Sequence, residues 1–475
     1  MFVDGAWTGS LSGETFDATS PATGETIASV AKGDRQDAQL AIGAANRAAD
    51  AWSRETAWER GNAMHRVADR IERQKDELAR TLTLDQGKPL HAEALGEVEE
   101  LISYWRNAAE DAVRLEGRIP NSVSAGKRVL LVRRPRGVIG VITPWNWPYT
   151  MPAELIAPAL ACGNTVVWTP ASTTAVAGVA LAECVAEADL PPGVFNLVTG
   201  PGSTVGDEIA RNPGTHGVGF IGSTETGRKV AEAAVGKAAV LELGGNGPVV
   251  VMDDADLDLA AEATVTACFL CAGQSCTAGE RLLVHRDVKE EFVARLARLV
   301  TERIVLGDPF AETTTLGPLN NAGVAAKMDE HVADALERGA ELVSGGSRAA
   351  GFPTDLYWQA TILDGVPDDA LVAQEETFGP VAPVVAIDSL EHAIELANAS
   401  PYGLLAAIFT RDLERGLRFA DSVRTGWVNV NESSNYWEPH LPFGGRSGSA
   451  SGIGRVGGAA PMEAFTELQT IVLSA

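Results

Sequence analysis

From residue 34 to 115, apolar side chains recur every three or four positions, as at Met64, Val67, Ala68 and Ile71, within a stretch rich in Ala, Glu and Arg. That period predicts a run of amphipathic helices. From about 136 the pattern changes. Short apolar runs at 138–142, 165–168, 195–198, 218–221 and 240–243 alternate with Ala-rich helical segments near 151–161, 174–188, 203–211 and 225–235. Repeated strand–helix alternation predicts a parallel sheet covered on both faces. A second alternating set begins near Pro248, with strands at 249–252, 282–285, 404–410 and 428–430 and a helix around 289–303. Two strand-like segments belong to neither set: 117–135, containing Val129, Leu130, Leu131 and Val132, and 462–474, containing Gln469 to Leu473. Strands with no home in their own sheet often pair across subunits.

Composition narrows the classes. A chain of 475 residues is too long for one core, so two or three domains are expected. No apolar stretch is long enough to span a bilayer. The opening Met-Phe-Val-Asp-Gly-Ala-Trp lacks a basic segment followed by an apolar one, so no signal peptide is read and a cytoplasmic location is expected. The formal charge of −25 is spread along the chain. Such a surface repels phosphate backbones and anionic lipid, so neither nucleic acid nor membrane is an expected partner.

The five cysteines, an odd number at uneven spacing, do not form a disulfide framework. Cys268, Cys271 and Cys276 invite a zinc reading, but no matching Cys/His pair accompanies them, so no metal is expected; Cys268 and Cys271 read as packing residues. Cys276 differs. It lies in Gln274-Ser-Cys-Thr-Ala-Gly-Glu280, crowded by small residues, and upstream a lone carboxylate, Glu242, sits in Leu-Glu-Leu-Gly-Gly-Asn246. A thiol can attack a carbonyl and a separate carboxylate can activate water, so the pair suggests covalent catalysis through a thioester.

Other positions carry possible chemistry. Gly200-Pro-Gly202-Ser-Thr-Val-Gly206 and Gly222-Ser223-Thr-Glu-Thr-Gly227 each follow a strand and open a helix. Each alone fits an ordinary turn; two in one doubly wound sheet point to a dinucleotide site, with Ser223 placed to meet a pyrophosphate. Thr143-Pro-Trp-Asn146-Trp-Pro148 is a rigid turn whose Asn146 amide either donates to an oxyanion or ties its own turn. Gln374-Glu-Glu376-Thr-Phe378-Gly-Pro380 reads equally as solvated surface or as a carboxylate for sugar hydroxyls beside a ring. The acidic run 253–258 reads as helix capping, not as a cation loop.

Together with Pro21-Ala-Thr-Gly-Glu25, Pro401-Tyr-Gly403, Asn429-Val-Asn431 and Pro442-Phe-Gly-Gly445, these motifs resemble the NAD(P)-dependent aldehyde dehydrogenases in order and spacing along nearly the whole chain. The resemblance implies an α/β fold with a Rossmann-type cofactor domain (1–115 and 136–244), an α/β catalytic domain (245–445) and a small β oligomerisation arm (116–135 and 459–475), in a homodimer or homotetramer. It implies Cys276 as nucleophile, Asn146 and the Cys276 N–H as oxyanion donors, hydride transfer to NAD or NADP, and Glu242 as base for thioester hydrolysis. The cofactor would meet Thr143, Pro144, Trp145, Thr169, Ser172, Gly202, Gly222, Ser223, Gly244, Glu376 and Phe378. The substrate tunnel would be bordered by Trp147, Met151, Ser275, Thr277, Tyr436, Trp437 and Phe443.

The chain departs from the family pattern in four places. Where Lys-Pro-x-Glu is usual, it reads Thr169-Pro-Ala-Ser172. Loss of the acid removes repulsion against a 2′-phosphate, and loss of the lysine removes attraction, so weak discrimination between NAD and NADP is expected. Trp147 stands where phenylalanine is commoner. The segment Asn435-Tyr-Trp-Glu-Pro-His440 is unusual, and the run after Gly445 is long. Aromatic walls suit a flat or bulky apolar aldehyde; alternatively Tyr436 and Trp437 pack on a neighbouring subunit. Glu154 can reach the tunnel, but a surface helix position is the expectation. A semialdehyde substrate and acyl transfer to coenzyme A remain as alternatives, the latter opposed by Glu242.

Overall fold

The computed structural model describes residues 1–474. The predicted helical region resolves into Arg35–Arg54, Ala57–Arg73, Lys75–Gln86 and Leu95–Ala112. Asp34 opens the first with a reciprocal capping box to Asp37, and Thr56 caps the second through the Glu59 N–H. Met64, Val67, Ala68 and Ile71 are fully buried, and their helix packs on Leu95–Ala112.

The first sheet has eight strands in the order Gly452–Ile453, Ala238–Glu242, Gly217–Ile221, Val138–Ile142, Thr165–Thr169, Phe195–Leu197, Phe2–Val3 and Ala6–Trp7. Its five central strands are parallel and its edges antiparallel. The predicted helix at 203–211 is a π-helical turn, Gly202–Gly206, running into Asp207–Arg211. The second sheet runs Glu341–Ser344, Thr361–Asp364, Val381–Ile387, Gly279–His285, Gly247–Val251, Leu405–Phe409 and Trp427–Val430. The two leftover segments pair with each other: Lys127–Pro135 lies antiparallel to Thr466–Ser474.

The long run after Gly445 returns to the first sheet. Gly452 pairs with Glu242, and its φ of +116° brings it so close to the Leu241 carbonyl that a Cβ would overlap it. Next to it, the Ser451 hydroxyl donates to the Gly244 carbonyl at 2.7 Å. This tail braces the end of the strand that carries Glu242. Thr143, Thr169, Gly222 and Glu242 all stand at the carboxyl ends of parallel strands, the edge where open α/β sheets bind ligands. No helix among the described residues is long and apolar enough to cross a membrane.

Candidate active site

The Cys276 loop is shaped by three successive residues in the left-handed region, Cys271, Ala272 and Gly273. Two are not glycine, a strained backbone of the sort that persists where packing fixes it. Glu93 helps to fix it, accepting the Cys271 N–H at 3.0 Å from within the core. A Cβ on Gly273 would lie 2.1 Å from the Gly379 carbonyl, so the Cys276 loop and the Glu376 loop pack backbone to backbone. Likewise a Cβ on Gly245 would meet the Cys276 carbonyl at 2.3 Å. The glycines after Glu242 therefore let three chain segments converge.

Cys276 is partly exposed while Glu242 is only 3 % exposed. The two side chains adjoin. Burial pushes the thiol pKa well up, and the neighbouring Glu242 carboxyl adds to the rise, so the free enzyme holds a thiol. Burial also raises the Glu242 pKa to about 8, against a smaller stabilisation by the thiol. Its Oε1 is buried without a hydrogen-bond partner, ready to accept from a thiol or a water. Asn146 is buried, and its Nδ2 donates to the Gln274 carbonyl at 3.0 Å, two residues before the nucleophile. This amide thus ties the turn to the Cys276 loop, not to its own backbone, and retains a second N–H.

Two cavities meet at this pair. A cleft is bordered by Pro144, Trp145, Gly222, Ser223, Gly244, Glu376 and Phe378, and also by Asn146, Met151, Glu242 and Cys276. It continues along the sheet edge past Thr143, Thr169, Ser172 and Gly202. These residues suit a dinucleotide. The Thr169 hydroxyl is buried without a partner, and Ser223 caps the helix Thr224–Ala233 through the Thr226 N–H at 3.3 Å. Glu376 accepts the Gly245 N–H at 2.8 Å, and a Cβ on Gly244 would lie 2.6 Å from its carboxylate. Phe378, at φ +60°, stands edge-on to Trp145 with centroids 5.6 Å apart.

The second cavity is bordered by Trp147, Met151, Ser275, Thr277, Trp437 and Phe443 with Cys276 and Glu242. Asn435 positions two of these, accepting from the hydroxyls of Ser275 (3.0 Å) and Thr277 while its amide holds the Thr266 and Ala267 carbonyls. Two expectations change here. Tyr436 lies outside the cavity, 44 % exposed, with its hydroxyl donating to Glu438. Glu154 is not a surface residue: it borders the cavity and accepts from the Tyr104 hydroxyl at 2.6 Å. The helix it occupies is buried on almost every side, so its carboxyl turns to the one open space.

Several residues were not anticipated. The Glu280 carboxylate accepts the N–H groups of Thr377 and Phe378, both at 2.7 Å, and so anchors the Glu376–Phe378 loop. Lys327 donates to the Glu376 carbonyl and borders the cleft. Behind Trp147 lies a buried Lys88–Glu97 pair at 2.5 Å, with Lys88 Nζ 3.2 Å from the Trp147 ring centroid. The spacing of Ala325, Met328, Val332 and Ala335 was a legible signal for the helix that carries Lys327.

The aldehyde dehydrogenase family model matches residues 7–471. The chain belongs to that family. This aldehyde dehydrogenase is 40 % identical to the glutarate-semialdehyde dehydrogenase of Pseudomonas aeruginosa, covering 99 % of this chain and 97 % of that one. It is also 40 % identical to the NADP(+) succinate-semialdehyde dehydrogenase of Escherichia coli, covering 98 % and 96 %. The crystal structure of a succinate-semialdehyde dehydrogenase from Burkholderia pseudomallei superposes with a TM-score of 0.97 at 37 % identity, covering 100 % of this chain and 97 % of that one. The protein is an oxidoreductase that uses NAD or NADP to oxidise an aldehyde.

Proposed function

We propose that this aldehyde dehydrogenase forms the free carboxylic acid through a thioester on Cys276, hydrolysed by water that Glu242 activates. The supporting observation is that Cys276 and Glu242 border both cavities, so one sulfur reaches an aldehyde from one side and a nicotinamide from the other. As the sulfur adds to the carbonyl carbon, Glu242 accepts the thiol proton. The remaining Asn146 N–H and the Cys276 N–H hold the alkoxide. Bound in the cleft, the nicotinamide supplies the hydride acceptor. Glu376 fits the sugar hydroxyls beside it. After releasing the thiol proton to solvent, Glu242 takes a proton from water, the oxygen adds to the thioester carbon, and the sulfur leaves, taking that proton back as the thiol. With its pKa raised to about 8, Glu242 is a stronger base than an ordinary carboxylate and serves both proton transfers increasingly well as pH approaches that value.

Acyl transfer to coenzyme A is the competing use of the thioester, and Glu242 favours water. The deciding measurement is acid release without coenzyme A, together with mass spectrometry of enzyme quenched during turnover. An acyl adduct on Cys276 is expected; its absence, with full activity in Cys276→Ala, overturns the reading.

Weak cofactor discrimination follows from the cleft wall at Thr169 and Ser172, which presents neither acid nor cation. A preference above about a hundredfold in kcat/KM, about 2.7 kcal/mol, contradicts it. For the aldehyde, Trp147, Trp437 and Phe443 favour a bulky or flat apolar body. The names of the relatives favour a semialdehyde instead. Benzaldehyde, propanal and succinic semialdehyde compared side by side separate these. The paired arm strands, with Leu468, Val472 and Leu473 about half exposed, suit a homodimer or homotetramer.

A further inference from the structure

The aldehyde tunnel carries a charge pattern that its aromatic walls alone do not explain. Glu154, Glu242 and Glu438 all border it, and Glu100 stands just behind, receiving the Trp437 indole N–H. Among the described residues no Arg, Lys or His side chain borders it. The nearest buried cation, Lys88, is separated from it by the Trp147 ring and paired with Glu97. At the mouth, His440 adjoins Glu438 at 3.4 Å. A substrate ending in a second carboxylate would find three carboxyls and no cation to pair with.

The geometry points to an aldehyde with a positively charged tail, an alkylammonium group received between the rings of Trp147, Trp437 and Tyr104 and the carboxylates of Glu154 and Glu438. This assignment rests on the thioester reading of the same site and deepens it. The rings supply apolar walls for the stem and electron-rich surfaces for the cation. Trp147 already binds one cation on its ring, Lys88 at 3.2 Å, and Trp437 stands perpendicular to it with centroids 5.5 Å apart. Tyr104 donates to Glu154, orienting that carboxyl in the wall. Burial holds the Glu154 proton on while the cavity is empty, and an arriving cation favours its ionised form. Glu242 is occupied by the reacting centre, which leaves Glu154 and Glu438 for the tail.

The test compares charged aldehydes with uncharged aldehydes of the same shape. Initial rates are measured with saturating cofactor for trimethylammonioacetaldehyde and tert-butylacetaldehyde, for gamma-trimethylammoniobutyraldehyde and its tert-butyl counterpart, and for succinic semialdehyde. In at least one pair the cation is expected to exceed its neutral twin in kcat/KM by about tenfold or more. Succinic semialdehyde should rank below both members of that pair. In Glu154→Gln and in Glu438→Gln the cation-to-neutral ratio should fall towards one; because the ratio is taken within each variant, a general loss of activity does not imitate the effect. A ratio of one or less in both pairs, a preference for succinic semialdehyde, or a ratio unchanged in both variants overturns the assignment. Oxidation of the neutral aldehydes without a cation preference removes the charged tail alone. Failure on all five aldehydes removes the thioester reading beneath it, and this assignment with it.

Discussion

The two cavities that meet at Cys276 are built in opposite ways. The cofactor cleft is made of backbone: strand ends, helix starts and glycines whose missing side chains let segments close to within contact. The aldehyde tunnel is made of side chains from separated segments, with Tyr104, the 147–154 stretch and the 437–443 segment interlocked by rings and carboxylates. Backbone can present N–H groups to a shared cofactor with little dependence on residue identity. Side-chain walls can be changed one at a time, so this half of the site sets what is oxidised.

The largest effects should come from the residues common to both halves. Cys276→Ser should lower steady-state oxidation by at least about 10⁴-fold, whichever aldehyde or cofactor is used. Glu242→Gln should lower steady-state turnover by about 10²–10⁴-fold. The wild-type rate should climb as pH rises through about 8, because the raised pKa of Glu242 keeps the base protonated below that value. A flat profile from pH 6.5 to 9.5 would separate Glu242 from the rate-limiting proton transfer.

The unequal construction explains what the sequence reveals. Thr143-Pro-Trp, Gly222-Ser223 and the Gly244 turn each sit directly after an apolar run, so the strand pattern itself locates the cleft. The tunnel has no such marker. Tyr104 reads as one more apolar position of an amphipathic helix, and Glu154 as an exposed break in an apolar one, until packing joins them. Glu280 is four residues past the nucleophile, yet its partners, Thr377 and Phe378, are almost a hundred positions away. Strand Val381–Ile387 escapes notice because Pro383 argues against a strand flanked on both sides. Phe2–Val3 and Gly452–Ile453 are too short for any period to register.

Changes confined to one half should separate cleanly. Glu280→Gln replaces one of the two acceptor oxygens that hold two N–H groups of the Glu376 loop, and the cofactor KM should rise by about tenfold with the aldehyde KM little changed. Trp437→Phe removes the indole donor to Glu100 and part of a tunnel wall, and should move the aldehyde KM by several-fold with the cofactor KM unchanged. If both variants shift both constants equally, the halves are coupled through the Cys276 loop and the division fails.

The smallest effect tests how far the backbone-built half is indifferent to its side chains. At the sheet edge, Ser172 donates to the Gly200 carbonyl at 3.1 Å and so contributes no charge towards the ribose. A carboxylate there would accept from ribose hydroxyls and repel a 2′-phosphate. Ser172→Glu should therefore raise the NAD-to-NADP ratio of kcat/KM by about tenfold, while Thr169→Lys should lower it by a similar factor, since Thr169 borders the same space with an unpartnered hydroxyl. Opposite shifts from the two variants would show that charge at this edge decides the cofactor and that its absence leaves the wild type permissive. Shifts in the same direction would mean that the ribose lies elsewhere in the cleft, and that glycines and strand ends, not the 169–172 turn, select the dinucleotide.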